Sequence, residues 1–109
     1  KVITEHKTAY ITLTQDELNS FGYVKGDTEG IVNYGLSIKG IVFAAIFIEN
    51  KEEKIIKISF RSQGDFDVNQ FARDYFNGGG HRNAAGGKSE VSMEETIRKF
   101  EDLVTKLSI

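Results

Sequence analysis

Cysteine, proline and tryptophan are all missing from this chain of 109 residues, and methionine occurs once. Without cysteine there can be no disulfide scaffold, no thiolate nucleophile and no Cys-ligated zinc, and the composition fits a reducing, cytoplasmic setting. No Pro-rich or Ser-rich linker and no internal repeat divides the sequence. Excess charge of one sign is missing as well. The formal net charge is only −2, so no global field draws in nucleic acid or membrane, and any anion site has to be local. The longest apolar run, Ile41 to Ile48 (IVFAAIFI), falls far short of the ~18 residues of a membrane span. The chain starts at Lys1 without Met or a signal-peptide pattern, as a piece of a longer protein would.

What is present suits one folded domain. Hydrophobic residues make up 39%, with eight Phe and four Tyr; a disordered chain would have fewer aromatics and a larger net charge. Thr8 to Thr14 (TAYITLT) alternates and is β-branched, which predicts a strand. Thr14 and Glu17 form a T-x-x-E capping box for a short helix that Gly22 can end. A second helix is expected from about Thr28 to Ser37, capped by Asp27, with Ile31, Val32, Tyr34, Gly35 and Ile38 on its apolar side. The IVFAAIFI run is apolar on both faces and predicts a central strand. A polar turn over Glu49 to Glu53 then joins it to an alternating strand, Lys54 to Ser62, as a hairpin. Ile56, Ile58 and Phe60 face one way in that strand; Lys57, Ser59 and Arg61 face the other.

Asp67 and Gln70 predict the next helix start, and Val68, Phe71, Ala72, Tyr75 and Phe76 give it a buried stripe until Asn77 and Gly78 stop it. A glycine-rich loop, with room for one helical turn near His81, should lead to a strand near Lys88 to Val91. Ser92 and Glu95 then cap a last helix, in which Met93, Ile97, Phe100, Val104 and Leu107 keep helical spacing.

The chemistry concentrates in Asn77-Gly78-Gly79-Gly80-His81-Arg82-Asn83-Ala84-Ala85-Gly86-Gly87. Three successive glycines let backbone N–H groups approach an anion closely, and a helical turn at His81 would add its free N–H groups. A Gly-rich stretch by itself marks a flexible connector, and a single His marks an exposed residue. The whole string G-G-G-H-x-x-A-A-G-G is more specific than either. Arg61, on the polar side of its strand, offers a planar fork suited to phosphate, and Ser62 adds a hydroxyl. Asn69, in a first helical turn, can present its amide to a ligand.

Asp65 to Asn69 superficially resembles a calcium loop but has Gln70 and Phe76 where Gly and Glu are required. His6 lacks ligand-spaced partners and is expected to be exposed. Two distant histidines and scattered acids make no metal site within this chain, and no nucleophile elbow is present.

Phe60-Arg61-Ser62, Asp67-Val68-Asn69, and Gly78-Gly79-Gly80-His81 followed by Ala84-Ala85-Gly86-Gly87 together resemble the DHHA1 domain, the C-terminal domain of DHH-family phosphoesterases. The likeness covers nearly the whole chain, including Val32-Asn33-Tyr34. It runs to the branch of bifunctional oligoribonucleases and pAp phosphatases (nanoRNases), often described as exopolyphosphatase-related. The resemblance implies one substrate-binding domain over residues 1–109, a small α/β fold with a mixed sheet of about four to five strands and helices packed on it. It implies that an N-terminal DHH domain of the same protein, absent here, holds a pair of Mn²⁺ ions, while this piece binds none and is inactive alone. It further implies that His81 and the Gly78–Gly80 backbone contact substrate phosphate beside those metals. His81 would be the catalytic group, as general acid or charge-stabilising donor. Arg61 and Ser62 would hold phosphate farther along a short RNA, dinucleotide or pAp. Exopolyphosphatase-type substrates, a non-catalytic nucleic-acid-binding module and a protein-interaction domain are the other readings.

Overall fold

IVFAAIFI lies at the centre of a sheet with helices on both faces. The computed structural model describes residues 1–20, 27–107 and 109, and of residues 27 and 28 the backbone only. Strand β1 (Val2–Ile3) and a single 3-10 turn (Thr4–His6) lead into β2 (Thr8–Leu13), and short helix α1 (Gln15–Ser20) follows. Next come α2 (Asp27–Ser37), β3 (Phe43–Asn50) and β4 (Ile55–Ser62). Then α3 (Val68–Tyr75), β5 (Gly79–His81), β6 (Ala84–Ser89) and α4 (Met93–Val104) complete the chain. The sheet has six strands in the order β1-β2-β3-β4-β6-β5. Among the described strands only β2 and β3 run parallel; such a pair needs a long crossover, and α1 and α2 lie within it. The architecture is the expected small α/β domain, with two more short edge strands than the sequence pattern alone makes visible. No helix among the described residues is long and apolar enough to cross a membrane.

Alternate residues of β3 feed two layers. Phe43, Ala45 and Phe47 join Ile56, Ile58 and Phe60 of β4 against Val68, Phe71, Ala72 and Phe76 and against Phe100 and Val104 of α4. Ala44 and Ile46 pack on the opposite face with Val32 of α2. Within the larger layer Phe43, Phe60, Phe71 and Phe100 all contact one another, with ring centroids 5.1–6.4 Å apart. Each fully buried Phe adds ~1.5–3 kcal/mol by area alone. That four-ring knot therefore fixes how α3 and α4 sit on the sheet.

The expected helix starts are built as read. Thr14 Oγ1 accepts the Glu17 N–H at 3.2 Å while Glu17 Oε1 accepts the Thr14 N–H at 2.9 Å. Asp67 Oδ1 accepts the Gln70 N–H at 3.1 Å, and Ser92 Oγ accepts the Glu95 N–H at 3.1 Å. Gln70 does not close a box with Asp67. Its amide donates to Asp74, one turn on, at 2.8 Å. The helix stop expected at Gly22 lies outside the described residues, as does the side chain of Asp27, whose backbone is already helical.

Other local expectations shift. The β3–β4 turn begins at Lys51, because Glu49 and Asn50 still pair with Ile56 and Ile55. Tyr34 and Tyr75 are exposed on their helices, at 74% and 41%. The final strand spans Ala84–Ser89 and leaves Val91 outside. His6 is half-buried in the turn that links β1 to β2.

Candidate functional site

The glycine-rich string is a β-hairpin, and no helical turn follows His81. Gly79 pairs with Gly86, Gly80 with Ala85 and His81 with Ala84, leaving Arg82 and Asn83 as the turn. Small residues are needed because the strands lie too close for side chains. A Cβ on Gly78 would sit 1.9 Å from the Gly86 carbonyl oxygen, and one on Gly80 would sit 2.7 Å from the Ala84 oxygen. The turn is pinned to the β4–α3 connection. Val68 N–H donates to Arg82 O at 2.8 Å, and Ser62 N–H donates to Asn83 O at 3.1 Å.

This geometry revises the expected anion cradle. The Gly78 N–H donates to Ala72 O at 3.1 Å, ending α3, and the Gly80 N–H donates to Asn69 Oδ1 at 2.8 Å. Two of the three glycine N–H groups thus already serve the fold. Asn69 acts through its carbonyl oxygen, which also accepts from Arg73 Nε at 3.1 Å. Arg73 escaped notice in the sequence, although the i, i+4 spacing from Asn69 on a helix start is a readable sign of contact. It brings an exposed guanidinium to the edge of β5.

Arg61 and His81 share one cross-strand row, since Arg61 pairs with Ala84 and Ala84 pairs with His81. Two strand spacings put their Cα atoms roughly 10 Å apart, with only an alanine between. His81 is exposed at the end of the edge strand. The Arg61 side chain is 17% exposed. Its Nε and Nη2 donate to Glu29 Oε1 and Oε2 at 3.1 and 2.5 Å, and its Nη1 donates to Phe60 O at 2.9 Å. The hydrogen bond from Arg61, reinforced by its charge, holds the Glu29 carboxyl below the usual carboxylate range against a smaller opposing effect of burial. Nothing in the sequence marks this partner: Glu29 stands 32 residues away, on an exposed part of α2.

Ser62 is placed differently from the expectation that it offers a hydroxyl to ligand. It is 4% exposed, and its hydroxyl donates to Phe66 O at 2.7 Å while accepting from Asn83 Nδ2 at 2.8 Å. Its contribution here is to hold the hairpin turn. The structure therefore brings Arg61, Asn69, Gly78, Gly79, Gly80 and His81 to one end of the sheet and turns Ser62 inward beneath them. No cluster of three His, Cys, Asp or Glu side chains suited to a metal occurs among the described residues. A surface cavity of about 580 Å³ lies elsewhere, around Tyr10, Ile97 and Glu101. The row runs from Arg61 on β4 across β6 to His81 on the edge strand β5, with His81 exposed and Arg61 covered by Glu29.

Among solved structures, an exopolyphosphatase-related protein from Bacteroides fragilis superposes with a TM-score of 0.90 at 46% identity, over 97% of this chain and 31% of its own. An uncharacterized protein from Helicobacter pylori G27 shares the fold at 22% identity and a TM-score of 0.60, over 91% of this chain and 26% of its own. A pGpG-specific phosphodiesterase from Vibrio cholerae does so at 14% identity and 0.61, over 97% and 34%. The chain thus spans about a third or less of the length of these proteins. No curated protein matches it. The sequence pattern of the DHHA1 domain matches residues 7–107, nearly the whole of the six-stranded fold and all of the Arg61–His81 strip, and the chain belongs to the DHHA1 domain family.

Proposed function

We propose that this domain is the substrate-binding part of a manganese-dependent DHH-family phosphoesterase that cleaves short oligoribonucleotides, dinucleotides or pAp. The observation that carries the reading is the cross-strand row at the end of the sheet, where an exposed His81 and a planted Arg61 lie two strands apart across a single alanine. In a DHHA1 domain that spacing suits two phosphate contacts on one ligand. Arg61 would hold one phosphate through its planar fork, and His81 would donate to an oxygen of the phosphoryl group undergoing attack. The likeness to an exopolyphosphatase-related protein and to a pGpG-specific phosphodiesterase supports a phosphate ester or anhydride as the ligand class. The Mn²⁺ ions belong, on this reading, to a DHH domain elsewhere in the protein. The residues described here form no ligand set for them, and no step through them is assigned to this chain.

The test is steady-state kinetics of Arg61→Ala and His81→Ala in the complete parent protein, with pAp and a short oligoribonucleotide. Each variant should lose about 100-fold or more in kcat/KM, or ~2.7 kcal/mol, without loss of the far-UV circular dichroism of the native fold. Loss through KM is expected for Arg61 and through kcat for His81. Unchanged kcat/KM in both variants overturns the reading. Strongly salt-dependent affinity for long RNA, with turnover unaffected, would instead identify a nucleic-acid-binding module.

A further inference from the structure

A guanidinium presents five N–H donors in a rigid plane, and its Nε–Nη2 edge takes a carboxylate or a phosphate equally well in shape. In this structure the edge is filled. Glu29 of α2 accepts from Nε at 3.1 Å and from Nη2 at 2.5 Å, while Nη1 is turned into the sheet toward Phe60 O and Ala85 O, at 2.9 and 3.5 Å. The two partners are unequally anchored. Arg61 is 17% exposed, clamped to the backbone of β4 and β6, whereas the Glu29 side chain is 57% exposed and, among the described residues, is otherwise held by a long contact from Asn33 Nδ2 at 3.4 Å. The cation is fixed and its anion is the displaceable half.

From this asymmetry we infer that Glu29 is a built-in competitor for substrate phosphate. Its carboxylate occupies the Arg61 fork in the empty site and is exchanged for a phosphate of the nucleotide when ligand arrives. The inference rests on the reading that Arg61 is a phosphate ligand. A carboxylate on any other part of the guanidinium would leave the Nε–Nη2 edge open to a phosphate. Here it lies on the edge itself. Glu29 therefore lowers affinity for every ligand that needs Arg61.

Equilibrium binding of pAp to the complete protein, with divalent metal omitted so that nothing is turned over, separates the possibilities. Wild type, Glu29→Gln, Arg61→Ala and the double variant are compared by calorimetry. Competition predicts that Glu29→Gln binds about tenfold tighter or better, that Arg61→Ala binds at least tenfold weaker, and that the double variant binds no tighter than Arg61→Ala. If Arg61→Ala weakens binding while Glu29→Gln binds equally or more weakly, the competitor is overturned and Arg61 keeps its role as phosphate ligand. If Arg61→Ala binds as well as wild type, the reading of Arg61 fails first, and the competitor with it. Glu29 is exposed at the surface of α2, so its neutral isostere leaves the core untouched.

Discussion

Asn69 holds Gly80: its Oδ1 accepts the Gly80 N–H at 2.8 Å, tying the first turn of α3 to the edge strand that ends in His81. The same oxygen accepts from Arg73 Nε, so one side-chain carbonyl sets both a backbone and a cation at this edge. Replacing Asn69 with Ala leaves the exposed Gly80 N–H to water and should cost ~0.5–1.5 kcal/mol. Because the loss is local, the Gly80 amide should exchange faster with solvent while amides of β3 keep their protection. Unchanged exchange at Gly80 in the variant would show that β5 is held by its pairing with β6 alone.

Two glycine-to-alanine changes should move stability in opposite directions. A Cβ on Gly78 meets the Gly86 carbonyl oxygen at 1.9 Å and the Gly87 Cα at 2.6 Å, both backbone atoms that cannot step aside. Gly78→Ala should therefore cost ~3 kcal/mol or more. Gly30 lies exposed within α2 with nothing within 4 Å of its Cβ direction, and Gly30→Ala should gain ~0.5–1 kcal/mol from helix propensity. Urea denaturation of the two variants checks both signs. A Gly78→Ala protein as stable as wild type would mean that β5 can be displaced without penalty.

How far sequence alone could reach is clear from individual residues. Thr14, Asp67 and Ser92 all cap helices as their spacing to Glu17, Gln70 and Glu95 implies, because capping is local chemistry. The β3–β4 hairpin was legible because a two-faced apolar run beside an alternating run has few other uses. The β5–β6 hairpin was not. Glycine has no side chain to carry a period of two, so Gly78 to Gly80 read as loop, and only the pairing of the Gly79 and Gly80 backbone with Gly86 and Ala85 makes those two strand. Ser62 was readable in retrospect, since the alternation that turns Arg61 toward α2 turns Ser62 to the side of Phe60. The Glu29–Arg61 pair was beyond reach, as it joins a helix surface to a strand 32 residues later.

The larger layer hides one polar pair. Ser89 Oγ and Thr96 Oγ1 lie 2.8 Å apart at 9% and 0% exposure, and the Thr96 hydroxyl is also within 2.8 Å of Ser92 O. Thr96→Val keeps the shape and strands the Ser89 hydroxyl in an apolar setting, which should cost ~1–3 kcal/mol. Adding Ser89→Ala removes the stranded group, so the double variant should be more stable than Thr96→Val alone. Additive losses in the double-mutant cycle would show that the two hydroxyls do not depend on each other.

Acid should weaken the fold through two carboxylates held below their usual range. For Glu29 the main cause is the hydrogen bond from Arg61, with Asn33 a lesser partner. For Glu101 it is the hydrogen bond from the Tyr10 hydroxyl at 2.6 Å, followed by Lys1. Tyr10 is correspondingly held protonated far above its ordinary range, chiefly by burial and then by Glu101. A carboxylate whose folded pKa is depressed contributes its stability above the unfolded pKa, which lies near ~4.3 for Glu, and loses it as pH falls through the folded value. Stability should hold from neutral pH down to about 5 and then decline. The Glu29 and Glu101 side chains are 57% and 34% exposed, so screening keeps each effect small. The urea midpoint of a Glu29→Gln/Glu101→Gln double variant should therefore fall less steeply than wild type between about pH 5 and pH 3. An equal acid slope in the two proteins would assign the loss to other carboxylates, and would mean that the Arg61–Glu29 contact contributes as little to the fold as an open surface pair.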